Sequence, residues 1–261
     1  MTASVPLLLH GATGRMGTAV RSLLPSSSGI ALRACVASEG PSGDCPPGCA
    51  WIAAGAFDGT ALEALPADTV VLDVSLADGT AALVTLLERA PRAAVVATTG
   101  LPESLEARLA ALARRAPILR ARNLSLGVAV MRAWIRDLPA PVREAFVADV
   151  VEQHHAGKKD APSGTALDLA AALGPMGEAR RPGGMVHTHA IRAGSVPGTH
   201  RVILSGDGET LELVHTVYDR SVFAAGALRA VRFVHGRAPG LYSIDDLVGD
   251  AHPIATSGKD S

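Results

Sequence analysis

Leu7-Leu-Leu-His-Gly-Ala-Thr-Gly-Arg-Met-Gly17 joins a short apolar run to a glycine-rich turn. The run over residues 7–10 predicts a buried strand, and the pattern continuing to residue 24 predicts a helix directly after the turn. The glycines at 11, 14 and 17 have G-x-x-G-x-x-G spacing, a variant of the dinucleotide fingerprint. Glycine there permits positive φ and lets a pyrophosphate approach the backbone, while the N–H groups that open the helix bind phosphate. A glycine motif alone is weak evidence; its place between a strand and a helix strengthens it. The candidate nucleotide contacts are Gly11, Ala12, Thr13, Gly14, Arg15, Met16 and Gly17. Arg15 reads equally well as a phosphate partner or as a solvated surface cation.

Further along, apolar runs at residues 30–37, 70–75, 93–98 and 118–121 alternate with helical patterns at 80–89 and 103–115. That alternation predicts βαβ units and a parallel sheet. Residues 40–50 read as a Pro/Gly/Cys loop. The pattern changes after Asn123: a helix over 126–138, a strand ending at Glu152, a polar loop, and a helix over 165–173 starting near Ser163. Three strand-like runs follow at 185–193, 200–205 and 210–217, then a helix over 222–234. The alternation in Leu211-Glu-Leu-Val-His215 fits a sheet with one covered face. The expected fold class is α/β: an N-terminal Rossmann-like parallel-sheet domain plus a C-terminal α+β substrate domain with an open mixed sheet. Expected boundaries are 1–124 for the dinucleotide domain, with the tail 236–261 packing back on it, and 125–235 for the second, substrate-binding domain.

The end of the second strand bears on cofactor choice. A dinucleotide site usually places an acid there, about 20 residues after the glycines, to hold the ribose hydroxyls. Here the segment is Ala37-Ser38-Glu39, with Ser38 as the candidate contact. Small neutral residues remove the repulsion against a 2′-phosphate, yet no arginine follows to hold one. The expectation is NADPH and/or NADH, leaning to NADPH.

The polar loop Glu152-Gln-His-His-Ala-Gly-Lys-Lys-Asp-Ala-Pro-Ser-Gly-Thr165 packs two adjacent imidazoles, two ammonium groups and a Ser-Gly-Thr turn between a strand end and a helix start. Rigid elements present chemistry on such loops. The turn leaves N–H groups aimed outward at a helix N-terminus, an anion site suited to a carboxylate. His154 and Lys158 beside it would neutralise charge and move a proton. The plain alternatives are an exposed His pair, a solvated Lys-Lys and a Ser N-cap. A metal reading is disfavoured, because neighbouring residues in an extended segment point to opposite sides.

The 261 residues suffice for one large domain or two modest ones. The chain is 48% hydrophobic but 3% aromatic, so its core is built from Ala, Val and Leu. A net charge of -1 supplies no basic field for nucleic acid. No segment approaches a membrane span, and the first apolar run is too short for a signal region, so the chain reads as cytoplasmic. Three cysteines argue against a disulfide framework; Cys35 reads as core filler, and Cys45 and Cys49 lack the redox spacing.

Taken together, these residues resemble the 4-hydroxy-tetrahydrodipicolinate reductase (dihydrodipicolinate reductase) family of lysine and diaminopimelate biosynthesis, over nearly the whole chain. The string His-His-x-x-Lys-x-Asp-Ala-Pro-Ser-Gly-Thr-Ala from His154 to Ala166 carries the family signature. Gly-Arg-Met-Gly at 14–17, Thr98-Thr99-Gly100, Asn123, Ser125-Leu-Gly127, Ile191-Arg-Ala-Gly194, Gly198-Thr-His200, Gly208-Glu209, His215 and Gly226-Ala227 match as well. The resemblance implies an NAD(P)H-dependent oxidoreductase of a cyclic unsaturated dicarboxylate, cytoplasmic and homotetrameric through the open sheet. It implies His154 as acid/base, Lys158 as proton donor, and His155, Gly164 and Thr165 as substrate contacts. It adds Ala97, Thr98, Thr99, Arg122 and Asn123 as cofactor contacts. Ala97, Leu124 and Asp73-Val-Ser-Leu depart from the family pattern without touching the His/Lys/Gly-Thr set. The alternatives are a related reductase of another cyclic unsaturated dicarboxylate and a non-catalytic dinucleotide sensor.

Overall fold

Val5–His10 is buried at every position, and such a strand must be covered on both faces. In the computed structural model, which describes residues 4–38 and 48–249, this strand (β1) lies inside a parallel sheet. The chain continues through α1 (Arg15–Leu23), β2 (Ile30–Ala37), β3 (Ala50–Ala53), α2 (Gly59–Glu63), β4 (Val70–Asp73), α3 (Ala77–Arg89), β5 (Ala94–Val96), α4 (Glu103–Leu112) and β6 (Pro117–Arg120). Next come α5 (Leu126–Arg136), α6 (Ala140–Ala145), β7 (Val147–His154), α7 (Gly164–Leu173), β8 (His187–Arg192), β9 (Gly198–Ser205) and β10 (Thr210–Val217). The last elements are α8 (Ser221–Val234), β11 (Gly240–Tyr242) and α9 (Asp246–Gly249).

The chain divides into two units. The first holds the chain up to Leu124 together with Ser221–Leu247. Its sheet runs β11-β6-β5-β4-β1-β2-β3, with the described pairings all parallel. The order reverses between β1 and β4, which opens a crevice at their carboxyl ends. Leu83, Val84 and Leu87 of α3 and Leu105, Leu109 and Leu112 of α4 pack over Leu8, Val71, Val96 and Ile118. Helix α8 packs against α1 and against β1, β4, β5 and β6.

The second unit spans Ser125–Arg220, with a sheet ordered β10-β9-β7-β8. β7 pairs parallel with β8 and antiparallel with β9, and β9 pairs antiparallel with β10. Strict alternation of burial along β7 gives the sheet one covered face. Ala148, Val150, Val202 and Leu204 pack there against Met131, Ile135, Leu169 and Leu173 of α5 and α7. The other face carries Val151, Ile191, Ile203 and Val214, with Ile191 45% and Val214 51% exposed.

The two architectures are those expected, a Rossmann-like sheet and an open mixed sheet. Three differences from expectation stand out. Helix α8 lies in the first unit, not in residues 125–235, because its buried stripe of Ala224, Ala227, Leu228, Val231 and Val234 meets the parallel sheet; periodicity shows a stripe but not its partner. Strands β3 and β11 and helices α2 and α6 were not expected, being only three to six residues each, too short for a period to register. Cys49 is disulfide-bonded, against the expectation of no disulfide, whereas Cys35 is a free buried thiol. Cys45, Glu39 and the tail beyond residue 249 lie outside the described residues. Among the described residues no helix is long and apolar enough to cross a membrane.

Candidate active site

In the first unit, the glycine turn sits where β1 ends. Gly11 has φ +86, and its N–H and that of Ala12 donate to Val36 O at 2.9 and 3.0 Å. Gly14 is the N-cap of α1; it offers no side-chain cap, and the first turn holds no acid. The start of α1 is therefore open to an anion. Gly17 is required by contact: a Cβ there would lie 2.2 Å from Gly11 O. Helix and turn thus approach as closely as backbone allows, the cradle a pyrophosphate needs.

Beneath the turn lies Asp73, the fully buried last residue of β4. His10 Nδ1 is 2.8 Å from its Oδ1, and Ser75 Oγ donates to the same oxygen at 2.6 Å. Thr80 Oγ1 and Thr98 Oγ1 donate to Oδ2 at 2.5 and 3.2 Å. Burial alone would raise the Asp73 pKa, but the hydrogen bond and charge of His10 and the hydroxyls of Ser75 and Thr80 hold it below its ordinary value. Thr98 is drawn under the turn by this hub, with Ala97 beside it donating its N–H to Asp73 O at 2.9 Å. Arg15, Ser38, Thr99 and Arg122 are exposed; Thr13, Met16 and Asn123 are half-buried.

In the second unit, the buried phase of β7 carries polar residues at its end: Glu152 is fully buried and His154 is 9% exposed. Glu152 Oε2 receives His154 Nδ1, and Oε1 accepts the Ser163 N–H at 3.0 Å. Arg192 of β8 grips both oxygens, at 2.8 and 2.6 Å, and its guanidinium also donates to Asp160 O. One carboxylate therefore ties the imidazole of β7 to the cap of α7. Ser163 Oγ caps that helix by accepting from Ala166 N at 3.2 Å and lies 3.2 Å from His200 Nε2. Gly164 at the helix start is exposed, with no atom within 4 Å of where a Cβ would stand. Thr165 and His155 are half-buried. Lys158 pairs with both Asp160 oxygens, at 2.7 and 2.8 Å. Gly198 bears no side chain where a Cβ would press to 2.9 Å from His154 Nε2, which keeps that edge of the ring clear.

Burial lowers the His154 pKa from its ordinary value; Glu152 pulls it upward without overcoming this, and Lys158 and Arg192 add to the fall. Burial would raise Glu152, but Arg192, His154 and the Ser163 N–H hold its carboxyl low. At neutral pH the pair is thus a carboxylate accepting Nδ1–H from a neutral imidazole, leaving Nε2 as the working nitrogen. Burial and the neighbouring His154 push His200 down to about 4.

Sequence reasoning placed His154, Lys158, Ser163, Gly164 and Thr165 together, and the structure sets them on one strand end, one loop and one helix start. It missed Asp73, Glu152, Arg192 and His200 as organisers. The available signal was a charged residue at a buried position of a strand, visible for Glu152 and Asp73 as acids ending apolar runs.

A parallel sheet with a glycine turn after its first strand, followed in the chain by a mixed-sheet unit with a buried imidazole beside a Ser-capped helix start, is the arrangement that the family match and relatives place among pyridine-nucleotide-dependent oxidoreductases. The chain belongs to the dihydrodipicolinate reductase family: the family model for the N-terminus matches residues 5–124 and that for the C-terminus residues 127–248. It is 39% identical over 243 residues to the 4-hydroxy-tetrahydrodipicolinate reductase of Stenotrophomonas maltophilia strain K279a, covering 93% of this chain and 97% of that one. To the enzyme of the same name from Xanthomonas campestris pv. campestris strain B100 it is 36% identical over 247 residues, covering 95% and 99%. The solved dipicolinate-bound dihydrodipicolinate reductase from Paenisporosarcina sp. TG-14 shares the fold, with a TM-score of 0.75, 19% identity, and coverage of 93% of this chain and 99% of that one.

Proposed function

We propose that the protein converts 4-hydroxy-tetrahydrodipicolinate to tetrahydrodipicolinate, the hydroxyl leaving as water while a hydride and a proton are added, in the cytoplasmic route to diaminopimelate and lysine, working as a homotetramer. Family membership and the names of its relatives support the reaction. The observation that carries the site assignment is the shared Glu152 carboxylate, which holds His154 and the start of α7 as one piece.

The glycine turn, the uncapped start of α1 and the neutral strand end at Ser38 fit a dinucleotide. Gly11 to Gly17 would hold its phosphates, and Ser38, Ala97, Thr98, Thr99, Arg122 and Asn123 would line its remainder. A reduced nicotinamide, when bound, supplies the hydride. With neutral Ala37 and Ser38 ending the strand and no arginine directly after them, both NADPH and NADH are expected to serve. Ser38→Arg is expected to shift preference toward NADPH.

The second unit's residues bind the dicarboxylate and handle the proton. The backbone N–H groups of Gly164 and Thr165, with His155, take one carboxylate at the positive end of α7. Lys158 exchanges Asp160 for the substrate and delivers a proton where negative charge develops. His154 Nε2, its tautomer set by Glu152, exchanges protons with the same locus. His154→Ala and Lys158→Ala are each expected to lower kcat by about two orders of magnitude or more. Near-wild-type kcat in either variant removes that residue from the mechanism.

A further inference from the structure

The last residues of β1 and β4, His10 and Asp73, stand opposite each other in the sheet register, at the place where the strand order reverses. Both are buried, at 5% and 0% exposure. A buried carboxylate is costly unless fully hydrogen-bonded, and the Asp73 side chain is met by a full set of donors. They arrive from separate segments: His10 from β1, the Ser75 N–H and Oγ from the turn after β4, Thr80 from α3 and Thr98 from the loop after β5. Thr98 Oγ1 also lies 3.3 Å from Ser75 O. Every loop so joined borders the crevice between β1 and β4, and Gly11 follows His10 directly.

There is no slack in this assembly. A Cβ on Gly11 would stand 2.8 Å from both Ser75 N and Ser75 Cα, so the phosphate turn rests on the backbone that Asp73 holds. A Cβ on Gly79 would lie 3.2 Å from His10 Cε1, and Phe57 closes another side of the imidazole with ring centroids 6.1 Å apart. A shift of the Asp73 carboxylate would carry Ser75 and Thr98 with it, and the glycine turn would lose its seat.

We propose that His10 and Asp73 form a clasp that sets the shape of the dinucleotide crevice, with His10 a positioning residue for nucleotide binding. The proposal rests on the nucleotide reading of the glycine turn. The clasp acts through its hydrogen bond, so what matters at position 10 is a donor placed where Nδ1 lies. An asparagine amide nitrogen can take that place. A leucine has no donor, and a glutamine carries its amide one carbon too far.

The test is calorimetric binding of NADPH and NADH to the full chain carrying His10→Leu, His10→Asn or His10→Gln, with thermal unfolding and the substrate KM at saturating nucleotide measured alongside. The expected result is a nucleotide Kd raised about tenfold in His10→Leu and His10→Gln and restored to within about threefold of wild type in His10→Asn, the size of one lost hydrogen bond. The substrate KM is expected to stay within about twofold, because that site is built in the other unit. If His10→Leu does not fold, the contrast between Asn and Gln decides. Equal nucleotide affinity in wild type and all folded variants overturns the clasp. So does weakening that follows thermal stability alone, with Asn no better than Gln. A wild-type chain that binds neither nucleotide instead overturns the reading on which the clasp rests.

Discussion

Glu152 shows how much a single residue organises in the second unit. Its carboxylate has no solvent and three kinds of partner: the His154 imidazole, the Ser163 N–H and the Arg192 guanidinium. Glu152→Gln removes the charge that faces the part-buried Arg192, and is expected to destabilise the fold by less than the about 3–5 kcal/mol of a fully buried pair. It also removes the influence that raises the His154 pKa, so the imidazole is expected to titrate at still lower pH. NMR titration of the histidine ring reads this, and an unchanged or higher pKa would contradict the pairing. His200 makes a second expectation. Its folded value of about 4 lies below the ordinary 6.5, so the unfolded chain binds the proton more readily. Stability from this residue is complete above the unfolded pKa and is lost as pH falls through 6.5 toward the folded one. From pH 7 to pH 5 its share is about 2 kcal/mol. Urea unfolding at the two pH values should show that loss in wild type and a smaller one in His200→Gln.

At the scale of elements, the helix starts decide the chemistry. α1 begins with a bare glycine, whereas α7 begins with Ser163, whose hydroxyl accepts from Ala166 N and whose N–H is held by Glu152. Ser163→Ala is expected to cost about 1 kcal/mol of stability as a lost cap. It should also weaken competition by dipicolinate, since the start of α7 would no longer be fixed beside His154. Unchanged inhibition would place the carboxylate elsewhere. These helix starts were legible in the sequence because glycine spacing and a Ser-Gly-Thr turn are local signals. The first strand was legible over residues 7–10 as a short apolar run, two residues shorter than Val5–His10, and β7 as one ending in polar residues. What stayed hidden was contact at long range. Nothing local pairs His10 with Asp73, 63 positions away, or Arg192 with Glu152, 40 positions away. The helix Ser221–Val234 declared its apolar stripe, but the sheet it covers depends on the path of the whole chain.

At the scale of the molecule, the open face of the second sheet exposes Ile191 and Val214 alongside Val151 and Ile203. Apolar residues on a broad sheet face favour burial against another copy. The mass in solution, by light scattering or sedimentation equilibrium, is expected to be four times 26.6 kDa, and Val214→Glu should lower it. A monomer at micromolar concentration would contradict the tetramer. The reaction itself is open to a more direct measurement. Purified protein, mixed with the condensation product of aspartate semialdehyde and pyruvate, should oxidise both NADPH and NADH, with kcat/KM values differing by less than about a hundredfold, or about 2.7 kcal/mol. Oxidation of neither nucleotide, while the same mixture supports turnover by a known reductase of this family, would contradict the proposed function.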